Sequence, residues 1–432
     1  MTSAKTLPKG AVQRSTRPGW LPGIEALRGI AAAMVVVHHS WSLSTMPRFP
    51  GYWIVEGFGS LGVNLFFALS GYLLADTFWR PKAPGRLRTY WIRRVFRIAP
   101  AYYVTVGILF LLFAEHRILF STQGLRQIAA NATFTHYLFP GTSSSLNVDG
   151  ALWTMTAEFL LYLFLPLMAL PFLRAPRTAF VTLVALGVGW RLLIALAGDG
   201  LRDAYFSTTG PGAGIESLYL ARQFVGLLPI FALGIGLKWL EVSGSLDRVR
   251  SWLPQRMTLV ALTAAMAPAI LILYFVERAS SYEHWIWFAG YDFAMTALLV
   301  PVILLASQPS WVPMTHLHRA SVWLGDRSYS LYIWHFPIVL SVYGRGPLVS
   351  PPDVSHIWLR LSLIAVLSVI AAHISFTYIE KPGIAYGRLL AASLSARRGA
   401  TSAGPGRDGA ASQVMPSAPK KGEQPTLEGH RA

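Results

Sequence analysis

The stretch GIEALRGIAAAMVVVHHSW, residues 23–41, sets an arginine near one end of an apolar run and two histidines near the other. At 100° per residue the eleven steps from Arg28 to His39 turn about 20° past three full circles, so on a helix both side chains share one face, about 16 Å apart. His38 points about 80° away from Arg28. Ala32 and Val35 complete the shared face, and their modest size leaves space for a molecule to lie between cation and imidazole. This geometry favours His39 over His38 as the chemical residue.

Charge inside an apolar run matters because the rest of the chain is apolar as well. Over 432 residues, 53% are hydrophobic and 13% charged, with a mean hydropathy of +0.44. That balance describes an all-α polytopic membrane bundle rather than a soluble protein. The chain has no cysteine, which excludes disulfides, thiolate metal sites and a cysteinyl acyl-enzyme. P-loop, glycine-rich nucleotide and HExxH patterns are absent, and no His/Asp/Glu cluster has metal-ligand spacing, so no metal is expected.

Ten stretches are long enough to cross a hydrocarbon core of about 30 Å: 24–43, 58–79, 98–114, 150–173, 178–197, 218–240, 257–276, 285–306, 323–342 and 357–379. The first is expected to be a retained helix, not a cleaved leader, since no small-residue cleavage site follows it. With ten crossings both termini share a side. Of the 37 lysines and arginines, 25 fall on the loops of that side and six on the opposite loops, which makes both termini cytoplasmic. The net charge of +17 is largely this bias, and it points to anionic lipid and not to nucleic acid. The expected organisation is a cytoplasmic segment 1–22, a transmembrane domain 23–385 and a disordered cytoplasmic tail 386–432, rich in Ala, Ser, Gly and Pro. The cationic segment RPKAPGRLRTYWIRRVFR, residues 80–97, has the composition of an interfacial helix. Its Arg93, Arg94 and Arg97 either anchor it to lipid or grip a phosphorylated donor.

Ionisable groups within spans usually face the bundle interior. On the expected topology His39 lies about 22 Å from the cytoplasmic edge, and Glu158 and His335 about 18 Å. Three proton-transfer groups therefore fall near one level. Glu158 could instead pair with Arg191 or Arg222, and His335 could be a hydrogen-bonded structural residue. Ser328, Tyr332 and His335 form an i, i+4, i+7 stripe that either lines a cavity or joins helices.

Five motifs follow one another along the chain: LRGIAAAMVVVHHS (27–40), GVNLFFALSGYLL (62–74), RRVFRIAPAYY (93–103), LWTMTAEFLLYLFLP (152–166) and LGDRSYSLYIWHFPIV (324–339). In this order they resemble the integral-membrane acyltransferases of the acyltransferase-3 type, bacterial O-acetylases of surface glycans and macrolide acyltransferases among them. The likeness covers residues 20–385. It implies a multi-pass protein of the bacterial cell membrane that transfers an acyl group, often acetyl from acetyl-CoA, to a hydroxyl. The family's arginine and histidine pair falls on Arg28 and His39, its basic loop on Arg93, Arg94 and Arg97, and its Trp-x4-Glu on Trp153 and Glu158. Asn64 departs from an acid common in the GV-LFF motif. The hydrolase-like domain that the family commonly appends is expected to be lacking.

The expected mechanism makes His39 the general base, Glu158 its orienter or the stabiliser of its imidazolium, and Arg28 with Arg93, Arg94 and Arg97 the holders of an acyl-CoA donor, with Trp153, Ser328, Tyr332 and His335 as site lining. Neutral histidine suits removal of a hydroxyl proton near pH 7. The expected acceptor is a cell-envelope or exported saccharide. The alternatives are a macrolide-like small molecule, or a proton-coupled transporter, which would also place histidines and a glutamate inside a bundle.

Overall fold

A computed structural model of the chain describes residues 21–44, 52–79, 86–113, 120–143, 150–206, 213–247, 285–307, 316–343 and 356–402. The expected span 257–276, the N-terminal lysines and arginines, and residues 403–432 lie outside the described residues. Among the described residues the fold is helical, and seven helices are long and apolar enough to cross a membrane.

Helix α1, Pro22–Ser42, begins with proline in its first turn and an acid, Glu25, beside it. Both suit a helix N-terminus, where amides lack partners and the dipole favours negative charge. It is not one of the seven, because Glu25, Arg28 and the histidines interrupt its apolar character. Neighbours cover it instead: α2 (Tyr52–Ala75), α10 (His316–Asp326) and α11 (Ser328–Val342). The α1–α10 contact is reciprocal and close. A Cβ on Gly29 would lie 2.1 Å from the Ser321 carbonyl oxygen, and one on Gly325 would lie 1.9 Å from the Glu25 carbonyl oxygen. Small residues at both positions let the two backbones touch, which is how helices gain packing energy in an apolar solvent.

The cationic segment is not a separate interfacial helix. From Arg86 it forms the first half of α3, which runs unbroken to Phe113. Pro100 lies inside it without ending it, as a bundle accommodates an interior proline by satisfying the freed carbonyl elsewhere. An amphipathic helix follows, α4 (Thr122–Ala132), with its polarity reversed: Gln127 and Asn131 are buried while Leu125 and Ile128 face outward. Next come α5 (Trp153–Ala169) and α6 (Pro176–Phe206).

Two expected spans are broken. Residues 218–240 divide into α7 (Ala213–Ala221) and α8 (Leu228–Val242), separated by Arg222, Gln223 and a 3-10 turn at Phe224–Leu227. Pro229 in the first turn of α8 requires a fresh helix start. After α9 (Trp285–Ala306), the expected span 323–342 divides at Arg327 into α10 and α11. Arg327 bonds back to the Trp323 carbonyl (2.9 Å) and across to His373 Nδ1 (3.1 Å).

The last span, α12 (Ile357–Ser375), passes through a π-helical turn, Phe376–Glu380, into α13 (Lys381–Ser402). Chain expected to be disordered from 386 is therefore helical to 402. The reason is a docking face on α3: Tyr386 packs on Phe96 with ring centroids 5.1 Å apart, and a Cβ on Gly387 would lie 2.5 Å from Phe96 Cβ.

The main core joins α1, α2, α3, α5, α8, α9 and α11 around Tyr72, Tyr102, Leu161 and Phe231. Between α6 and α9 a buried ion pair, Arg191 Nη2 to Asp292 Oδ2 at 2.6 Å, is completed by Asn64 Nδ2 donating to Asp292 Oδ1 at 3.1 Å. Arg191 also donates to the Gly226 and Phe288 carbonyls. Arg191 and Asp292 thus satisfy each other, and neither pairs with Glu158.

Candidate active site

Helices α1, α2, α3, α5 and α11 line a partly open cavity of about 280 Å3. One end is polar, with Arg28 from α1, Arg94 and Arg97 from α3, Glu158 and Tyr162 from α5, Ser70 from α2 and Ser328 from α11. Phe66, Phe67, Leu73, Leu74, Met155 and Tyr332 supply an apolar lining.

The three guanidinium groups are not equivalent. Arg28 pairs with Glu25 one turn back, at 2.9 Å. Arg97 lies 3.6 Å from Glu380, which is fully buried and also accepts a hydrogen bond from Ser330 Oγ at 2.8 Å. Glu158 accepts from the Tyr162 hydroxyl, and that hydroxyl also meets Ser70 Oγ at 3.0 Å. Among the described residues Arg94 makes no ion pair, and its Nε is buried with no hydrogen-bond partner. Ser328 Oγ is in the same condition. Buried polar groups are nearly always satisfied, so two orphans lining one cavity, Arg94 from α3 and Ser328 from α11, suit it to a polar ligand. An unpaired guanidinium and an unpaired hydroxyl lining the same cavity suit an anion such as a phosphate.

The histidines stand apart from this cavity, toward the other end of α1. His39 Nδ1 lies 3.1 Å from the Val35 carbonyl oxygen and 3.1 Å from His335 Nε2. His335 is fully buried, and its Nδ1 is 2.6 Å from the Tyr332 carbonyl oxygen. Phe336 packs edge-on against His39, centroids 5.0 Å apart. His38 turns to a different partner, the Val55 carbonyl of α2, at 3.3 Å. Tyr332 links the two regions, since it lines the cavity and its ring centroid lies 5.5 Å from that of His335.

The sequence-based expectations divide accordingly. His39 and His335 meet. Of the stripe expected either to line a cavity or to join helices, Ser328 and Tyr332 line the cavity and His335 lies outside it. Arg28, Arg94 and Arg97 converge on it, but Arg93 is exposed on the outer side of α3 and takes no part. Glu158 does not orient His39; it sits among the arginines with Tyr162. Trp153 lines a different place, where the Arg222 guanidinium lies 4.9 Å over its ring. The space expected along α1 is filled: Ala32 and Val35 are buried, and a Cβ on Gly62 of α2 would come within 2.8 Å of Val35 Cγ2. Sequence reasoning missed Glu380, although an acid in the apolar run FTYIE was its signal.

A family model described as an acyltransferase domain matches residues 21–379. The peptidoglycan O-acetyltransferase OatA of Listeria monocytogenes is 24% identical over 393 residues, which is 86% of this chain and 57% of that protein. The O-acetyltransferase OatA of Staphylococcus aureus is 26% identical over 397 residues, 86% of this chain and 58% of that one. The chain thus spans less than two thirds of the length of these curated relatives. No solved structure matches it.

Proposed function

The chain belongs to the acyltransferase family whose domain spans residues 21–379, and from that premise we propose that it is a membrane O-acyltransferase moving an acyl group, acetyl in the first instance, from acyl-CoA to a hydroxyl of a cell-envelope saccharide. The relatives' names support the reaction class and the acceptor. The observation that carries the donor assignment is the pair of orphaned groups, Arg94 Nε and Ser328 Oγ, in a cavity that also holds Arg28 and Arg97. Their chemistry fits phosphate oxygens of the donor. At about 280 Å3 the cavity falls just below the roughly 300–1,000 Å3 of ligand pockets, so it suits a slender arm with one anionic group and not a whole nucleotide.

The cytoplasmic placement of both termini belongs to this proposal and rests on the cation distribution. It puts Arg28 toward the cytoplasm and His39 about 16 Å farther out along α1, with Tyr332 between the cavity and the histidines. The arm passes Tyr332 to bring its thioester to His39. His39 removes the proton of the acceptor hydroxyl as the oxygen attacks the thioester carbonyl. A tetrahedral intermediate forms, its carbon–sulfur bond breaks, and the imidazolium returns the proton to the leaving thiolate. An ester and a free thiol result, with no net gain or loss of protons. Glu158 acts at the cavity as an internal counter-charge to the guanidinium groups.

The test is incubation of the purified full-length protein with labelled acetyl-CoA and a cell-envelope extract. Labelled saccharide ester should appear, His39→Ala should abolish it, and His38→Ala should retain most of it. Label in a small lipophilic product would replace the acceptor assignment. Proton-linked uptake without thiol release would replace the enzyme by a transporter.

A further inference from the structure

We propose that His335 is a positioning residue that shares the Nδ1–H of His39 with the Val35 carbonyl, holds the ring in orientation and receives the hydrogen bond of its imidazolium, the task that sequence reasoning gave to Glu158. The inference rests on His39 being the base. It follows from which atoms can only accept. The Val35 carbonyl oxygen, 3.1 Å from His39 Nδ1, has no proton to give, so His39 Nδ1 carries the hydrogen. The Tyr332 carbonyl oxygen, 2.6 Å from His335 Nδ1, imposes the same on His335. A neutral imidazole protonated at Nδ1 has a bare Nε2. His335 Nε2 therefore presents a lone pair to the Nδ1–H of His39, at 3.1 Å.

The hydrogen bonds thus run one way: His39 Nδ1–H is shared between the Val35 carbonyl and His335 Nε2 in a three-centre bond, and His335 Nδ1–H goes to Tyr332. His39 Nε2 makes no hydrogen bond among the described residues and keeps its lone pair for the acceptor hydroxyl. When Nε2 takes the proton, the positive charge spreads to Nδ1–H, which already faces an acceptor. The reverse arrangement is excluded by its neighbours, because a proton on His335 Nε2 would face the Nδ1–H of His39. Burial of His335 keeps water from competing for that contact. The geometry repeats a general device, in which the second nitrogen of a working histidine is held by a partner that sets which nitrogen is free.

Amide side chains separate this role from a merely structural one. Glutamine places its carbonyl where Nε2 of histidine stands; asparagine reaches only the place of Nδ1. Acetyl transfer is measured on purified His335→Gln, His335→Asn and His335→Leu proteins, with His39→Ala alongside and thermal midpoints recorded for all. His335→Gln should stay within about 10-fold of the wild type in kcat, while Asn and Leu fall about 100-fold, a range set by loss of an orienting partner. The donor KM should change less than about 2-fold, because no donor contact is lost. Equal losses for Gln, Asn and Leu at unchanged midpoints overturn the inference, as does wild-type kcat in all three. Activity surviving in His39→Ala sinks the parent proposal instead. Activity absent from His39→Ala but unordered across the His335 series sinks only the positioning role.

Discussion

Substitution of Gly29 by alanine tests whether the α1–α10 contact sets the geometry of the site. A Cβ at Gly29 would lie 2.1 Å from the Ser321 carbonyl oxygen and 2.8 Å from the Gly325 amide nitrogen. Ordinary contact begins near 3.4 Å, so the two backbones must part by about 1.3 Å, and neither is the movable end of a side chain. Arg28 is the next residue on α1, and α10 leads through Arg327 directly into Ser328 and α11. The displacement therefore reaches both walls of the cavity and the spacing of His39 to His335. Overpacking of this kind costs about 1–3 kcal/mol of stability, and a misplacement near 1 Å lowers turnover by up to about 100-fold. The assay is acetyl transfer per mole of protein in membranes matched by immunoblot, with a thermal midpoint in detergent. Gly107→Ala is the control, since nothing lies within 4 Å of a Cβ there and alanine improves helix propensity by up to about 1 kcal/mol. Gly29→Ala behaving like Gly107→Ala in both measurements would refute the reasoning.

Arg94→Ala should raise the donor KM about 10- to 100-fold with kcat much less changed, as expected for loss of about 1.5–3 kcal/mol of charge-assisted bonding. Arg94→Lys should recover little of it, because an ammonium cannot reproduce a planar fork; donor titration of the three proteins reads this. Asp292→Ala should cost about 3–5 kcal/mol by leaving Arg191 charged and unpaired within the bundle. Replacing both by leucine should restore much of that stability, which a thermal-melt comparison of the single and double variants will show.

The sequence carried helix phase well and helix neighbours poorly. Arg28 and His39 share a face because 3.6-residue periodicity needs no knowledge of packing, and counting residues from span ends brought His335 to the depth of His39. Depth says nothing about azimuth, however. Glu158 lies at a similar level but is turned toward the arginines of α3, and its hydrogen-bond partner is Tyr162, four residues on along α5 itself; that i, i+4 pair was readable. The face bearing Ala32 and Val35 looked open only because the neighbour filling it, Gly62 of α2, is remote in sequence. Breaks at Arg222–Gln223 and Arg327 escape a hydropathy count because the apolar residues on either side outweigh a short polar interruption in the average, although Pro229 marked the first. Glu380 was passed over as a residue beyond the last span, when the π turn carries it back into the interior against Arg97.

The reversed polarity of α4 bears on how the protein can be handled outside a bilayer. Leu125 and Ile128, with Phe120 and Phe139 on either side of the helix, are exposed, and burying a side chain of this size is worth about 1.5–3 kcal/mol. A detergent belt covering the spanning helices alone leaves this ledge wet, and bare ledges of neighbouring particles will adhere to one another. Lipid discs wide enough to seat the ledge should give monodisperse particles where small micelles give aggregates.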